Sequence, residues 1–256
     1  MKSPVLVGYK TMVRKELVRI FRIWSQTLLP PAITMSLYFL VFGTFIGSQV
    51  APIDGYTYMQ YIVPGLIMMS IITSSYTNTV TTLYFAKWTH TLDEVLVSPM
   101  PAWTVIAGYV TGGVLRAFLT GSLVIGISLL FTQLAIYNAF ILFIVAFLSA
   151  ALFSLAGMVN AIYAKSMDAI SIVPNFVLTP LTYLGGVFYS ISLLPPFFAT
   201  LSLANPILYM VNAFRYGFLG VADVPLYESI GVLLAATLLM LGWVVYLFRK
   251  GKGLQR

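Results

Sequence analysis

The sequence has no cysteine, one histidine and very little charge. Without cysteine there is no disulfide framework, no thiolate metal site and no thiol nucleophile. The single histidine, His90, falls in a polar loop and is read as an ordinary polar residue, not a metal ligand or proton carrier. Asp, Glu, Lys and Arg make up 8% of the 256 residues, where a soluble domain carries about a quarter. No G-x-x-x-x-G-K-S/T run occurs, so ATP is not bound here through a P-loop. H-E-x-x-H and G-x-S-x-G are also missing, and no acid, His or Ser cluster suits an intramembrane lipid enzyme. No catalytic residue, metal site or cofactor is therefore expected in this chain.

What remains is apolar. Sixty percent of the residues are hydrophobic, and several uncharged stretches exceed the roughly 20 residues that cross a bilayer as a helix. The fold class read from this is all-α: a polytopic membrane protein with six transmembrane helices, an N-terminal amphipathic interfacial helix and re-entrant helices before the last span. The spans are placed at about 28–47, 58–84, 102–132, 139–163, 169–189 and 226–248. Residues 190–225 are too apolar for an aqueous loop and too broken by Pro195, Pro196, Pro206 and Pro225 for one crossing. A pair of short helices dipping into the outer leaflet satisfies both facts.

The formal charge of +7 does not point to nucleic acid, because the cations sit at the ends of apolar segments. All Lys and Arg except Arg116 and Arg215 fall in the N-terminal segment, the 85–101 loop, the Lys165 loop or the C-terminal tail. An even number of spans puts these segments on one side, and the positive-inside rule makes that side, with both termini, cytoplasmic. Residues 1–25 read as a helix with cations, from Lys10 to Arg22, on one half and Met12, Leu17 and Ile20 among the apolar residues on the other. That segment lacks the cleavage site of a signal peptide. Glu16 falls on its apolar side and calls for a polar partner.

Few residues inside the spans can carry function. Span 2 holds Thr73, Ser74, Thr77 and Asn78, read either as a polar substrate pathway or as groups bonded to their own helix. Arg116 in span 3 either meets an anionic substrate head group or serves the carbonyls and hydroxyls of its neighbours. Arg215, in the re-entrant region, either snorkels to the outer head groups or lines an exit. Nearby aromatics (Tyr209, Phe214, Tyr216, Phe218) suit an interfacial belt. Gly43 and Gly47 form a G-x-x-x-G pair for close helix approach. No acid lies at mid-membrane to serve a proton- or sodium-coupled carrier.

Several ordered motifs resemble the ABC-2 family of ABC transporter permeases, especially its YadH-type bacterial inner-membrane members. They are Lys15-Glu16 with Arg19, Thr27-Leu28-Leu29-Pro30-Pro31, and Tyr61-Ile62-Val63-Pro64-Gly65. Further along come Leu92-Asp93-Glu94-Val95-Leu96 with Pro99, Ser154-Leu155-Ala156-Gly157, Leu178-Thr179-Pro180 through Gly185-Gly186, and Asn205-Pro206 through Phe214-Arg215-Tyr216. The resemblance covers the whole chain, 1–256, as a single transmembrane domain. It implies a permease homodimer working with two copies of a cytoplasmic ABC ATPase that binds ATP and Mg. It also implies that the 85–101 loop holds a coupling helix. There Trp88, Leu92, Val95 and Leu96 would fill an ATPase cleft while Asp93 and Glu94 meet its rim, with Arg14 and Glu16 of the N-terminal helix alongside. Spans 1 and 5 would form the dimer contact through Gly43, Gly47, Gly185 and Gly186, and Asn205, Pro206, Arg215 and Tyr216 would mark the re-entrant region. The implied function is ATP-driven export of a lipid-like, drug-like or glycoconjugate substrate across the bacterial inner membrane, with lipid but no nucleic acid as a further partner. The alternative is a secondary transporter or channel acting without an ATPase.

Overall fold

A computed structural model describes residues 4–251 and Gly253. Lys2, Lys252 and Arg256 of the terminal basic clusters lie outside the described residues. Among the described residues there is no β-strand, only an isolated bridge between Ile53 and Tyr56.

The first helix, α1, covers Pro4–Arg22, and a break at Ile23 separates it from α2, Trp24–Tyr38, which continues as π-helical turns over Phe39–Ile46. Next come α3 (Tyr58–Trp88), α4 (Thr91–Val97), α5 (Ala102–Ser128) and α6 (Ala139–Tyr163). Helix α7 (Met167–Val173) runs through a π segment, Pro174–Leu178, into α8 (Thr179–Tyr183). The chain ends with α9 (Pro196–Leu203), α10 (Pro206–Leu219) and α11 (Leu226–Lys250).

Local chemistry sets these boundaries. Thr57 and Gln60 form a capping box at the start of α3, and Asn138 and Asn205 cap α6 and α10 through side-chain oxygens. Gly220 and Gly251 end α10 and α11 in the left-handed conformation that costs glycine least. Pro174 has no N–H, so it frees the carbonyl of Ile170. The Asn160 side chain of α6 donates to that carbonyl at 3.2 Å, which ties the kink to its neighbour.

The six expected crossings are only partly matched. Four helical segments have the length and apolarity of a span: Trp24–Ile46, Ala102–Ser128, Ala139–Tyr163 and Leu226–Lys250. A fifth exists if α9 and α10, bent by 88° at their junction, count as one. Helix α3 is long enough at 31 residues but is diluted by hydroxyls. It can be polar because it meets protein instead of lipid: it is buried along most of its length between α5 and α6.

Close approach to α3 depends on glycine. A Cβ at Gly157 of α6 would lie 2.7 Å from the Tyr76 carbonyl oxygen and 3.1 Å from the Val80 nitrogen, both backbone atoms of α3 that cannot step aside. Gly157→Ala is therefore expected to force α6 off α3 at a cost of about 1–3 kcal/mol, read as a lowered unfolding temperature in neutral detergent. Unchanged stability would mean that the two backbones do not touch.

Helix α1 packs along the first half of α5. Met12 sits against Gly108 and Glu16 against Gly112, so the two helices run in the same direction there. The buried stripe is Met12, Glu16 and Ile20. Leu6, Val7, Val18 and Phe21 stay exposed beside the cations. Part of the face that the sequence assigns to lipid therefore meets protein.

Helix α10 covers only part of α6. Pro206, at its start, lines a cavity with Leu152 and Ala156 near the middle of α6. At its end, the Gly217 carbonyl accepts the Asn138 N–H, at the start of α6, at 2.8 Å.

Candidate functional site

Around Pro30 and Pro31 of α2, a cavity of about 370 Å³ lies between α2, α3 and α5. Four of the five residues expected in a substrate pathway meet here: Thr73, Ser74 and Thr77 from α3, and Arg116 from α5. Thr27 and Thr34 of α2 add hydroxyls that the sequence reading did not include.

The bland alternative for the span 2 hydroxyls holds for others on α3. Ser75, Thr79, Thr81 and Thr82 donate to carbonyls one turn back at 2.7–3.2 Å. Among the described residues, Thr73, Ser74 and Thr77 make no such bond, so their hydroxyls are available to the cavity.

Asn78 takes no part in the lining. It is fully buried and faces α1, where its side-chain oxygen accepts from Arg19 at 2.6 Å and its amide donates to Glu16 at 3.3 Å. Arg19 also donates to Glu16 at 3.0 Å. Glu16, 1% exposed, thus has the polar partners its position demanded, and they tie α1 to α3. Arg116 is one turn beyond Gly112, on which Glu16 packs. Its Nε is buried and has no hydrogen-bond partner among the described residues.

The loop after α3 turns through His90, whose left-handed conformation (φ 59°) starts α4. Asp93 closes that turn through His90 Nδ1 at 2.9 Å, and Lys87 donates to the Ile162 carbonyl at the end of α6 at 2.7 Å. Leu92 is completely buried, and Val95 and Leu96 pack against the chain's own core. Leu92 is thus covered by its own chain, which corrects the expectation for that residue, while Val95 and Leu96 stay half-buried. The exposed apolar groups are Phe85, Trp88 (53% exposed) and Val97 (88%), with Glu94 exposed beside them. Arg14, with Lys15 and Arg22, lines a basic groove on the outer side of α1.

A second polar centre lies where α10 meets α3. Arg215 is 1% exposed and neither snorkels nor lines an exit. Its guanidinium stacks 4.0 Å over the Tyr61 ring, donates to the Gly186 carbonyl at 2.5 Å and lies 3.7 Å from the Asp223 carboxylate. Asp223 also accepts from Ser190 at 2.5 Å and Tyr61 at 3.3 Å. Asn212 holds both ends of the Asp223-Val224 segment, accepting from Asp223 N–H at 2.7 Å and donating to the Val224 carbonyl at 2.7 Å. Tyr61, Ser190, Asn212 and Asp223 were not singled out from the sequence as site residues. They come from separate segments, and no local periodicity announces them. Asn205 and Pro206 are the cap and first residue of α10. Tyr216 is half-buried against Tyr137, whereas Phe214 and Phe218 are core residues, not a lipid belt.

The glycines expected at a dimer contact also make close approaches within the protomer. A Cβ at Gly43 would collide with the Met59 side chain, and one at Gly185 would lie 2.9 Å from Ile207. Gly47 is crowded by its own helix, and Gly186 makes a turn at φ 70° that offers its carbonyl to Arg215.

Residues 8–219 match the family model of the ABC-2 type transporter. The chain is 50% identical over 251 residues to the inner membrane transport permease YadH of Escherichia coli K12, covering 97% of each chain. It is 26% identical over 207 residues to nodulation protein J of Rhizobium leguminosarum bv. viciae, covering 77% of this chain and 76% of that one. With a membrane-type helical fold and a match of this extent, the chain belongs to the ABC-2 type transporter family and is an inner-membrane transport permease subunit.

Proposed function

We propose that this permease is the membrane part of an ATP-driven exporter, in which two copies of the chain work with two copies of a separate ABC ATPase that binds ATP and Mg. The cargo is lipid-like, drug-like or a glycoconjugate and moves outward. The single observation that carries the coupling half of this reading is the shape of α4. It is a short helix pinned to its own chain by Leu92, with Trp88, Val97 and Glu94 left exposed beside it. An apolar pair with an acidic neighbour suits a groove on a soluble partner. Helix α4 leaves from the Lys87 end of α3, in one of the cation-rich segments that the positive-inside rule places in the cytoplasm.

In this reading α3 and the kinked α7–α8 join the four apolar helices as crossings, which gives six and leaves both termini cytoplasmic. The α9–α10 pair dips from the outer side and returns, which agrees with α10 reaching only the middle of α6. Helix α1 borders the cytoplasmic leaflet with its cations facing out. The dimer contact uses exposed apolar rows: Leu40 and Phe45 on the π-helical turns after α2, with Ile172 and Phe176 on α7 and the segment after it. A hydroxyl contact of 3.1 Å between Tyr38 and Tyr183 joins these rows.

The test is reconstitution of the permease with its ATPase. Trp88→Ala with Val97→Asp is expected to lower permease-dependent ATPase stimulation at least tenfold, the scale of losing about 2 kcal/mol of hot-spot contact. The unfolding temperature should hold, because both side chains are exposed. Full stimulation by the folded variant would remove α4 from the interface. Transport of a cargo by the permease alone would end the ATP-driven reading.

A further inference from the structure

The cavity between α2, α3 and α5 carries an excess positive charge that the protein does not neutralise. Arg116 lines it, and Glu16 and Arg19 lie behind the wall, close enough to act on the charge of Arg116. The one carboxylate is committed to Arg19 and Asn78. No acid lines the cavity itself. Among the described residues Arg116 therefore makes no ion pair of its own, and its buried Nε has no acceptor. A partly buried cation without acceptors is costly, and the cost is recovered when an anion brings oxygen acceptors to it.

We propose that Arg116 is an anion-selecting subsite, and that the group bound there is the phosphate or carboxylate head of an amphiphile. This deepens the proposed function by naming the chemistry of the cargo's head, and it rests on the cavity being part of the cargo path. The hydroxyls of Thr73, Ser74 and Thr77, free of their own helix, can donate to the remaining anion oxygens. At about 370 Å³ the cavity holds a head group and a short linker, not a whole lipid. Its rim residues Gln26, Pro30, Thr34 and Thr73 are exposed, and the exposed row Leu29, Ile33 and Leu37 runs beside them. An apolar tail can leave along that row while the head stays on Arg116. Met35 of α2 and Met69 of α3 add apolar surface to the lining without a competing donor.

The probe is dodecyl phosphate, titrated by calorimetry into the full chain in a neutral maltoside detergent. Inorganic phosphate and uncharged dodecanol serve as separate arms. Saturable binding of dodecyl phosphate is expected, at least tenfold weakened in Arg116→Gln and largely kept in Arg116→Lys. Arg22→Gln, on the exposed side of α1, should bind as the wild type does. Thr77→Asp supplies an internal carboxylate. It is expected to abolish binding and raise the unfolding temperature, which keeps the proposal testable if Arg116→Gln does not fold. Binding of inorganic phosphate as tight as that of the amphiphile would show a free-anion site and overturn the amphiphile. Equal binding of dodecanol, or wild-type affinity in Arg116→Gln or Thr77→Asp, would overturn the subsite altogether. None of these results touches ATPase stimulation through α4, so the subsite can fail while the coupling reading stands.

Discussion

Arg215→Ala is expected to destabilise the permease by about 3–5 kcal/mol, the range for removing one partner of a buried ion pair. Arg215 has only 1% exposure, and three elements converge on it: the Tyr61 ring and carbonyl on α3, the Gly186 carbonyl after α8, and Asp223 before α11. Without the guanidinium, two carbonyls lose a donor and the Asp223 carboxylate keeps its charge in a largely dry setting. Asp223→Asn should cost less, because its amide oxygen can take the Oδ2 place and accept from Tyr61 and the Ile191 N–H while its NH2 donates to the Ser190 hydroxyl. Arg215→Met with Asp223→Leu should recover part of the single-mutant loss, since an apolar pair leaves no stranded charge. Unfolding temperature in detergent ranks the three variants. A second reading comes from labelling. The native sequence has no cysteine, so Ser192→Cys gives one thiol whose reaction with a maleimide should quicken in the Arg215→Ala background as the segment after Gly186 loosens. An Arg215→Ala protein with wild-type stability would mean that these ends of α3, α8 and α11 are held together by packing alone.

What was legible in the sequence follows the range of the interactions. Apolar runs, prolines and caps act within a few residues, so helices α1, α2, α3, α5, α6 and α11 and the broken 190–225 region could be read directly. Glu16 was legible as a residue in need of a partner because a carboxylate on an apolar helix face is a local contradiction. Its partner Asn78 was named for another reason, as a pathway residue, and the bond joins positions 62 apart. Leu92 illustrates a deeper limit. An apolar residue on a short helix must bury itself, but periodicity does not say whether the surface that covers it belongs to the same chain. The same ambiguity applies to Gly185 and Gly186. Small residues mark close approach, and here the approach is to Ile207 and Arg215 of the same protomer. Arg215 joins Tyr61 across 154 positions, so nothing in its neighbourhood could distinguish a buried hub from a snorkelling cation. Hydropathy failed in the opposite direction for α3. Its hydroxyl content keeps it below the apolarity of a crossing, yet the helix with the least need for lipid is the one the others enclose.

Glu16→Gln is expected to cost about 3 kcal/mol, the low end for breaking a buried pair, because Arg19 is 27% exposed and can recover some hydration. The loss is not confined to one bond. Glu16 neutralises one of the two guanidiniums around it, receives Asn78 of α3 and packs on Gly112 of α5, so three helices lose a common point. Removing Arg19 as well should restore part of the stability, since the introduced glutamine amide and Asn78 can pair as neutral groups. The double-mutant cycle for Glu16→Gln and Arg19→Gln is expected to show coupling of about 1–3 kcal/mol, as for side chains in direct contact within one network. Detergent unfolding supplies the energies, and limited trypsin digestion supplies the place: cleavage at Arg14 and Lys15 should quicken as α1 leaves α5. Additive single-mutant losses would show that Glu16 and Arg19 do not act as a pair. The charge argument also fixes a sign. Any folded Glu16→Gln protein leaves Arg116 in the wall of the α2–α3–α5 cavity, and Arg19 behind it, without the carboxylate, so it should bind dodecyl phosphate at least as tightly as the wild type while being less stable. A stability loss accompanied by weaker anion binding would mean that the carboxylate shapes the cavity more than it sets its charge.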